Sequence, residues 1–271
     1  MVYLLLVLFG LVIGSFINAL VWRVHEQESD KKDKKLSITK GRSLCPTCKH
    51  QLKAFDLIPV VSWVFLNGKC RYCKKPISIQ YPLVELTTVI LYLICYVLWP
   101  YSLESYQSIA LFISWLCLLT GFIALSIYDI KWFILPNRLI YSLWPFAMVF
   151  GILNYQNRPA YYLINILIST IIGGGIFYLI YMLSKGKWIG GGDIRLGWML
   201  GFIAATPARS VMFIFIASLI GTAISLLFII TKRFKKHQLI PFGPFLMLGL
   251  VVVQLFGNKI LDWYLNRILI G

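Results

Sequence analysis

Charge is scarce in this sequence of 271 residues. Only 13% of the residues are charged and 10 are acidic, whereas 59% are hydrophobic and the mean hydropathy is +0.78. Soluble domains carry about 25% charged and about 45–50% apolar residues. The composition therefore excludes an ordinary soluble domain, a disordered chain and a disulfide-rich secreted scaffold. It indicates a polytopic membrane protein.

Several common catalytic signatures are also missing. The 3 histidines do not form a His-Glu-x-x-His metalloprotease motif, and there is no Gly-x-Ser-x-Gly nucleophile elbow. No Gly-x-Gly-x-x-Gly follows a strand pattern, so no nucleotide-binding fold is predicted.

Long apolar runs recur along the whole chain, and they predict an all-α polytopic membrane protein with about eight transmembrane helices. The runs lie at 2–22, 82–99, 107–128, 135–153, 161–183, 194–206, 208–231 and 241–257. Small residues within them, Gly173-Gly174-Gly175 and the pair Gly197 and Gly201, predict close helix packing or a bend rather than a site.

The basic residues predict the orientation of these helices. With the N-terminus outside, the segments that face the cytoplasm hold 22 of the 26 Lys and Arg residues, as the positive-inside bias requires. Anionic lipid at the inner leaflet then explains the net charge of +16, and no nucleic-acid partner is needed. Residues 23–81 are accordingly expected in the cytoplasm.

Four cysteines in this cytoplasmic loop are spaced as metal ligands. Cys45 and Cys48 form one Cys-x-x-Cys pair, and after 21 residues Cys70 and Cys73 form another. Two such pairs are typical of a tetrahedral structural zinc site with no open position for water. The alternative is two disulfides or unused thiols, although a reducing cytosol disfavours disulfides.

The expected organisation has three parts: a first transmembrane helix at 1–22, a four-cysteine zinc loop at 23–81 and a membrane-embedded domain at 82–271. A loop of this size needs a staple such as zinc because it buries little core. The loop alone would also suit a non-catalytic scaffold that docks a cytoplasmic partner.

Three acidic residues fall at or near membrane depth, where ionisable groups are costly and are functional candidates: Glu85, Asp129 and Asp193. Asp129 closes the third predicted span and Asp193 opens the sixth, so both are expected at cytoplasmic ends. Two carboxylates that meet in a partly dry site share a proton, and they can activate water and polarise a scissile carbonyl. The alternative is two unrelated aspartates, one tied to Lys131 and one to Arg195.

The three glycines before Asp193 remove side-chain bulk. Their sequence is Gly190-Gly191-Gly192. Such a stretch would allow the extended backbone of a substrate to approach the carboxylate.

Together these motifs resemble the bacterial type IV prepilin peptidases, which are leader peptidases and N-methyltransferases of the plasma membrane. The joint order of the blocks makes the resemblance specific, and it extends over nearly the whole chain. The blocks are Gly14-Ser15-Phe16-Ile17-Asn18, Ser43-Leu44-Cys45-Pro46-Thr47-Cys48, Ile58-Pro59-Val60, Gly68-Lys69-Cys70-Arg71-Tyr72-Cys73, Tyr81-Pro82-Leu83-Val84-Glu85, Asp129 with Leu135-Pro136, Gly190-Gly191-Gly192-Asp193, and Pro241-Phe242-Gly243-Pro244. The sequence departs from the family at Asn137, where an Asp is usual, and at Leu57, where an Asn is frequent.

The resemblance implies a Gly-x-Gly-Asp aspartic peptidase that cleaves the basic leader of prepilin or pseudopilin substrates at the cytoplasmic face of the bacterial inner membrane. By motif, Asp129 and Asp193 would be the catalytic pair, and the four cysteines would bind zinc. The resemblance also implies methylation of the new N-terminal amine by S-adenosylmethionine, although nothing in composition or spacing shows it. The two remaining alternatives are a leader peptidase without methyltransferase activity and the non-catalytic scaffold.

For the methyl donor, we expect a site where the zinc loop meets the membrane. A sulfonium group can use a carboxylate and aromatic faces, and Glu85, Asp56 and Trp63 are nearby in the sequence. Glu85 and Asp56 are the candidate carboxylates, and packing at a span end or within the loop is the alternative role for each of the three.

Overall fold

The computed structural model of the protein describes residues 1–29, 42–155, 161–231 and 240–269. Parts of two segments predicted to be cytoplasmic, at 30–41 and 232–239, lie outside the described residues. Over the described ranges the chain forms helices, turns and isolated bridges without strands, which confirms the all-α class. These ranges contain nine α-helices: α1 (Val2–Ser29), α2 (Val61–Phe65), α3 (Gln80–Val97), α4 (Tyr106–Trp132), α5 (Asn137–Tyr155), α6 (Tyr161–Ser184), α7 (Gly191–Ala204), α8 (Pro207–Ile230) and α9 (Gly243–Tyr264). A short 3-10 helix, Ala54–Leu57, precedes α2, and a π-helical segment, Leu265–Leu269, continues α9.

Each of the eight apolar runs coincides with a helix, but the count of eight spans is not confirmed. Among the described residues, six helices are long and apolar enough to cross a membrane: α1, α3, α4, α6, α8 and α9. Helix α7 has 14 residues, and at 1.5 Å per residue it is shorter than a hydrocarbon core of about 30 Å. Helix α5 has Pro145 in its interior.

The chain divides into two compact units, Met1–Leu98 and Trp99–Gly271. The sequence-based boundaries after residues 22 and 81 fall inside the first unit. The division into three functional parts remains a prediction.

In the first unit, α1 packs against α3 through glycines four residues apart. A Cβ on Gly10 would lie 2.9 Å from the Val89 Cα, and a Cβ on Gly14 would lie 2.6 Å from the Glu85 Cα. The two backbones therefore touch at positions where any larger side chain would separate them. This contact places Glu85 against α1 at the end of the helix pair that adjoins the cysteine loop.

In the second unit, the glycines of α6 and α7 confirm the predicted close packing. A Cβ on Gly173 would lie 2.7 Å from the Gly197 carbonyl oxygen, and a Cβ on Gly201 would lie 2.6 Å from the Ser169 carbonyl oxygen. The Ser169 hydroxyl also donates to the Gly201 carbonyl at 2.7 Å. Helix α7, which begins at the Gly-rich segment, is thereby fixed against α6.

Local sequence sets the two helix ends that matter most for the site. Helix α4 ends at Trp132, and the next residue, Phe133, has a left-handed backbone (φ 55°) and an N–H that donates to the Asp129 carbonyl. Helix α7 begins after Gly190, whose backbone is extended, so that Asp193 falls in its first turn. Both aspartates therefore lie at helix ends.

Candidate active site and metal centre

The four cysteines come together at two turns of the same geometry. The Lys49 N–H donates to the Cys45 carbonyl at 2.9 Å, and the Lys74 N–H donates to the Cys70 carbonyl at 3.0 Å. Both lysines have a left-handed backbone, with φ of 57° and 59°. The four sulfur atoms lie within 4.8 Å of one another, so the prediction of a four-cysteine cluster is confirmed.

The donor set fits a zinc ion. All four cysteines are free thiols, and Zn–S bonds of about 2.3 Å would put tetrahedral sulfurs about 3.8 Å apart. Burial raises the pKa of Cys45, but hydrogen bonds from the Cys48 and Thr47 N–H groups outweigh it and bring the pKa down to about 7. Because the thiolate is the form that binds metal, this environment prepares one ligand near neutral pH.

Asp56 braces the second cysteine turn. Its Oδ1 accepts a hydrogen bond from Arg71 Nε at 2.7 Å, and its Oδ2 accepts from the Tyr72 hydroxyl and the Lys53 N–H, both at 3.1 Å. Arg71 and Tyr72 lie between the two cysteines of that turn. Burial would raise the pKa of Asp56, but these donors, with Arg71 first, hold the pKa below its ordinary value.

Glu85 holds the start of α2. Its carboxylate is buried, and its Oε2 accepts the Val60 N–H at 2.7 Å. Val60 has φ 60° and ψ −51°, and the Val61 N–H donates to the Pro59 carbonyl at 2.5 Å. This is a γ-turn with positive φ, a strained conformation for a β-branched residue. Glu85 thus connects α3 to the cysteine loop through a strained turn, a feature that is enriched at functional sites.

Asp129 lies in the last turn of α4 and is 5% exposed. Gly243, the first residue of α9, lies against its carboxylate, since a Cβ on Gly243 would lie 2.7 Å from Asp129 Oδ2. Asp129 therefore lies between the C-terminal end of one helix and the N-terminal end of another.

Asp193 is half-buried in the first turn of α7, and a Cβ on Gly190 would lie 3.7 Å from its Oδ2. The three preceding glycines differ in what surrounds them. A Cβ on Gly191 would meet nothing within 4 Å, whereas a Cβ on Gly192 would lie 2.8 Å from the Leu135 Cβ. Gly191 therefore borders open space, while Gly192 is required for packing.

Leu135 links the surroundings of the two aspartates. This side chain is 7% exposed. It lies against Gly192, beside Asp193, and it would also lie 3.3 Å from a Cβ on Gly243, the residue that lies against Asp129. The segments that carry Asp129 and Asp193 therefore meet at Leu135.

Lys131 and Arg195 are the basic residues that could each have paired with one of these aspartates, but both make other contacts. Arg195 Nη1 donates to Asn137 Oδ1 at 2.6 Å. The Lys131 ammonium lies 5.3 Å from the centre of the Trp132 ring. The departure at Asn137 thus places a neutral acceptor, rather than a carboxylate, against Arg195.

Sequence reasoning assigned no role to Leu135 and Gly243, which stand only within motif blocks. It also did not predict the hydrogen bond between Asn137 and Arg195. The presence of Leu135 and Gly243 in ordered motif blocks was the available signal, but no sequence pattern specified what they contact.

Two family models match the chain. The bacterial peptidase A24 N-terminal domain matches residues 8–99, and the type IV leader peptidase family matches residues 116–226. A prepilin leader peptidase/N-methyltransferase of Bacillus subtilis (strain 168) is 30% identical over 98% of this chain and 98% of its own length. The chain belongs to the type IV leader peptidase family.

Other members of the type IV leader peptidase family are similar over nearly the same length. The protein of that name from Pseudomonas aeruginosa is 28% identical over 96% of this chain and 92% of its own. The one from Vibrio cholerae is 29% identical over 93% of this chain and 97% of its own length. No solved structure matches the chain. Family membership and the apolar helices indicate a bacterial inner-membrane protein.

The candidate residues of this member of the leader peptidase family fall into the two matched ranges as separate groups. The cysteine cluster, Asp56 and Glu85 fall in the first matched range, and Asp129 and Asp193 fall in the second. Gly243 lies beyond both ranges.

Proposed function

We propose that the protein is a bifunctional enzyme of the bacterial inner membrane that cleaves the leader peptide of type IV prepilin-like proteins and then N-methylates the new N-terminal residue. Relatives that carry both activities in their names match it over nearly the full chain. The observation that supports the proposal is that Leu135 packs on Gly192, which precedes Asp193, and on Gly243, which lies against Asp129.

In this proposal Asp129 and Asp193 are the catalytic pair of an aspartic peptidase. The ionised carboxylate accepts a proton from water while the water oxygen attacks the carbonyl carbon of the scissile peptide bond. The protonated carboxyl donates its proton to the carbonyl oxygen. When the tetrahedral intermediate collapses, the C–N bond breaks and a proton passes to the leaving amine, which becomes the new N-terminus. The pair then returns to its starting state of one shared proton.

The proposed topology has the N-terminus outside, with α5 and α7 added to the six candidate spans to give eight. The cysteine loop and the aspartate pair then face the cytoplasm, in agreement with the distribution of Lys and Arg. A substrate would bind with its apolar stem among the helices and its basic leader in the cytosol. This arrangement would bring the scissile bond to the depth of the aspartates.

The cysteine cluster is proposed to hold one structural zinc ion through Cys45, Cys48, Cys70 and Cys73. Four thiolates complete the coordination of zinc, so the ion would stabilise the loop rather than activate water. The braces at Asp56 and Glu85 would then fix the zinc loop to its neighbouring segments.

The methyl donor, S-adenosylmethionine, is proposed to bind in the first unit near Glu85 and Asp56. When bound, it supplies an electrophilic methyl group to the new N-terminal amine. The buried Glu85 carboxylate fits a cationic sulfonium because its Oε2 is held in place by the Val60 N–H. Both Asp56 oxygens already accept hydrogen bonds, so Asp56 would act by holding the loop.

Cleavage of a prepilin-like substrate by the purified full-length enzyme tests the catalytic pair. We expect Asp129→Asn and Asp193→Asn each to lower the cleavage rate by about 100- to 10,000-fold, since each removes an acid–base group. Asp262→Asn, at an exposed position in α9, is the matched control and should cleave normally. Normal cleavage by both active-site variants would remove the pair from the mechanism.

The same variants separate the alternatives when they are given a substrate that has already been cleaved. Asp129→Asn should still methylate its N-terminus, as mass spectrometry of the product would show. If the wild-type enzyme cleaves the substrate but never methylates it, the protein is a leader peptidase without methyltransferase activity. A cell whose prepilin processing is unaffected by Asp129→Asn would indicate a scaffold.

A further inference from the structure

The start of α9 lies beside the Asp129 carboxylate. Gly243 is the first residue of α9, and Pro244 follows it. The first N–H groups of a helix have no acceptor within the helix, and the positive end of the helix dipole favours a carboxylate at this place.

The space at Gly243 is filled by the same carboxylate. A Cβ added to Gly243 would lie 2.7 Å from Asp129 Oδ2 and 3.3 Å from Leu135 Cδ1. Real Cβ atoms essentially never approach within 3.0 Å of a neighbour. A side chain at position 243 would therefore force the carboxylate away from its position.

Gly249, a second glycine of α9, is a glycine required for helix packing. A Cβ on Gly249 would lie 2.5 Å from the Phe213 carbonyl oxygen. That atom belongs to the backbone of α8, so it can move only if the two helices separate. At Gly243 the nearest atom is instead the end of a flexible side chain, which can rotate. The same substitution should therefore damage folding at Gly249 and carboxylate geometry at Gly243.

Leu135 lies between Gly243, which contacts Asp129, and Gly192, which precedes Asp193. It is buried against Gly192 on one side and against Gly243 on the other. A Cβ on Gly243 would displace the Asp129 carboxylate, and Leu135 already fills the space on its side, so the carboxylate cannot move there. Rotation would take it out of the geometry that it shares with Asp193.

We propose that Gly243 is a positioning residue of the peptidase: the absence of a side chain at this position leaves the space in which the Asp129 carboxylate takes the orientation that pairs it with Asp193. This role rests on the proposed function, because it acts through Asp129 and does not require Gly243 to touch the substrate.

The test compares four variants of the full-length enzyme: Gly243→Ala, Gly249→Ala, Gly175→Ala and Asp129→Asn. Gly175 is the neutral control, since a Cβ there would meet its nearest atom at 3.7 Å. For each variant, kcat and KM for leader cleavage, Tm and methylation of a pre-cleaved peptide are measured. For Gly243→Ala we expect kcat to fall about 100-fold, the effect of a misplacement of about 1 Å, with KM, Tm and methylation close to wild type. Gly249→Ala should instead lower Tm.

Three results would overturn the role of Gly243. One is a kcat for Gly243→Ala equal to that of Gly175→Ala. Another is a loss of Tm as large as that of Gly249→Ala, which would make Gly243 a packing residue. The third is a raised KM with unchanged kcat, which would make it a substrate contact. If Asp129→Asn cleaves normally, the proposed function itself fails; if Asp129→Asn is inactive and Gly243→Ala is normal, only the positioning role fails.

Discussion

At the scale of single residues, a backbone N–H holds the buried carboxylate of Glu85. The Val60 N–H donates to its Oε2 at 2.7 Å. A fixed N–H stabilises a buried carboxylate without a second buried charge, whose desolvation would be costly. At Asp56, outside the helices of the membrane, Arg71 is added to the donors.

Replacement of Asp56 by Asn tests its role in the cysteine loop. Asn keeps the shape but removes the charge, and its NH2 group cannot accept a hydrogen bond, so it cannot replace the carboxylate oxygen that accepts from Arg71 or the one that accepts from Tyr72 and Lys53. Because these donors are exposed or only partly buried, we expect the loop to lose about 0.5–1.5 kcal/mol of stability, the usual net contribution of a hydrogen bond. The chelator concentration that removes half of the zinc should therefore be lower for Asp56→Asn. Glu104→Gln, at an exposed position, should behave as wild type.

The effect of Asp56→Asn on stability should depend on pH in a defined direction. The pKa of Asp56 is lowered in the folded protein, so its carboxylate contributes stability above the unfolded pKa of about 3.9 and loses it as the pH falls through the folded pKa. The difference in Tm between wild type and Asp56→Asn should be constant from pH 8 to 5, by this argument, and shrink below about pH 4. A difference that grows on acidification would contradict a role for the charged carboxylate.

At the scale of helices, both units are assembled through glycines that bring two backbones into contact. In the first unit these are Gly10 and Gly14 of α1, and in the second they include Gly173, Gly197 and Gly201. Helices within a bilayer gain little from apolar burial against each other, so close van der Waals packing has a larger part in their association. The position of Glu85 follows directly from one of these contacts.

Gly14→Ala tests the contact between α1 and α3. The new Cβ would lie 2.6 Å from the Glu85 Cα, so the helices must separate. We expect a loss of about 1–3 kcal/mol, as for other overpacked sites, and a lower Tm. Zinc retention should fall as well, because Glu85 would shift away from Val60. Gly175→Ala is the control, and equal Tm values for the two variants would show that α1 and α3 do not pack in this way.

At the scale of the whole molecule, the candidate metal centre and the aspartate pair belong to different compact units. The cysteine cluster, Asp56 and Glu85 lie within Met1–Leu98, whereas Asp129, Asp193 and Gly243 lie within Trp99–Gly271. If each unit carries one of the proposed activities, damage to the first should affect methyl transfer before cleavage.

Removal of zinc by a chelator tests this division. The cysteine loop has little apolar core, so it should open when the metal is lost. We expect new protease-sensitive sites, located by mass spectrometry, to appear within residues 42–81 and not within 99–271. Methylation of a pre-cleaved peptide should fall by a larger factor than leader cleavage. An equal loss of both activities would indicate that the units do not function separately.

The sequence by itself determined the helical segments, the four-cysteine cluster, the two aspartates at helix ends and the family. These features depend on composition, on local periodicity and on the spacing of residues close together in the chain. It did not fix the number of spans, because α5 and α7 are helices whose length or composition differs from that of the long apolar spans.

Only the tertiary structure decided what the motif residues contact. It showed that Gly192 packs on Leu135 while Gly191 faces open space, that Gly243 fits against Asp129, and that Asn137 accepts from Arg195. These contacts join residues that the chain separates by tens of positions. Their distances depend on how whole helices cross, which no local pattern of side chains encodes.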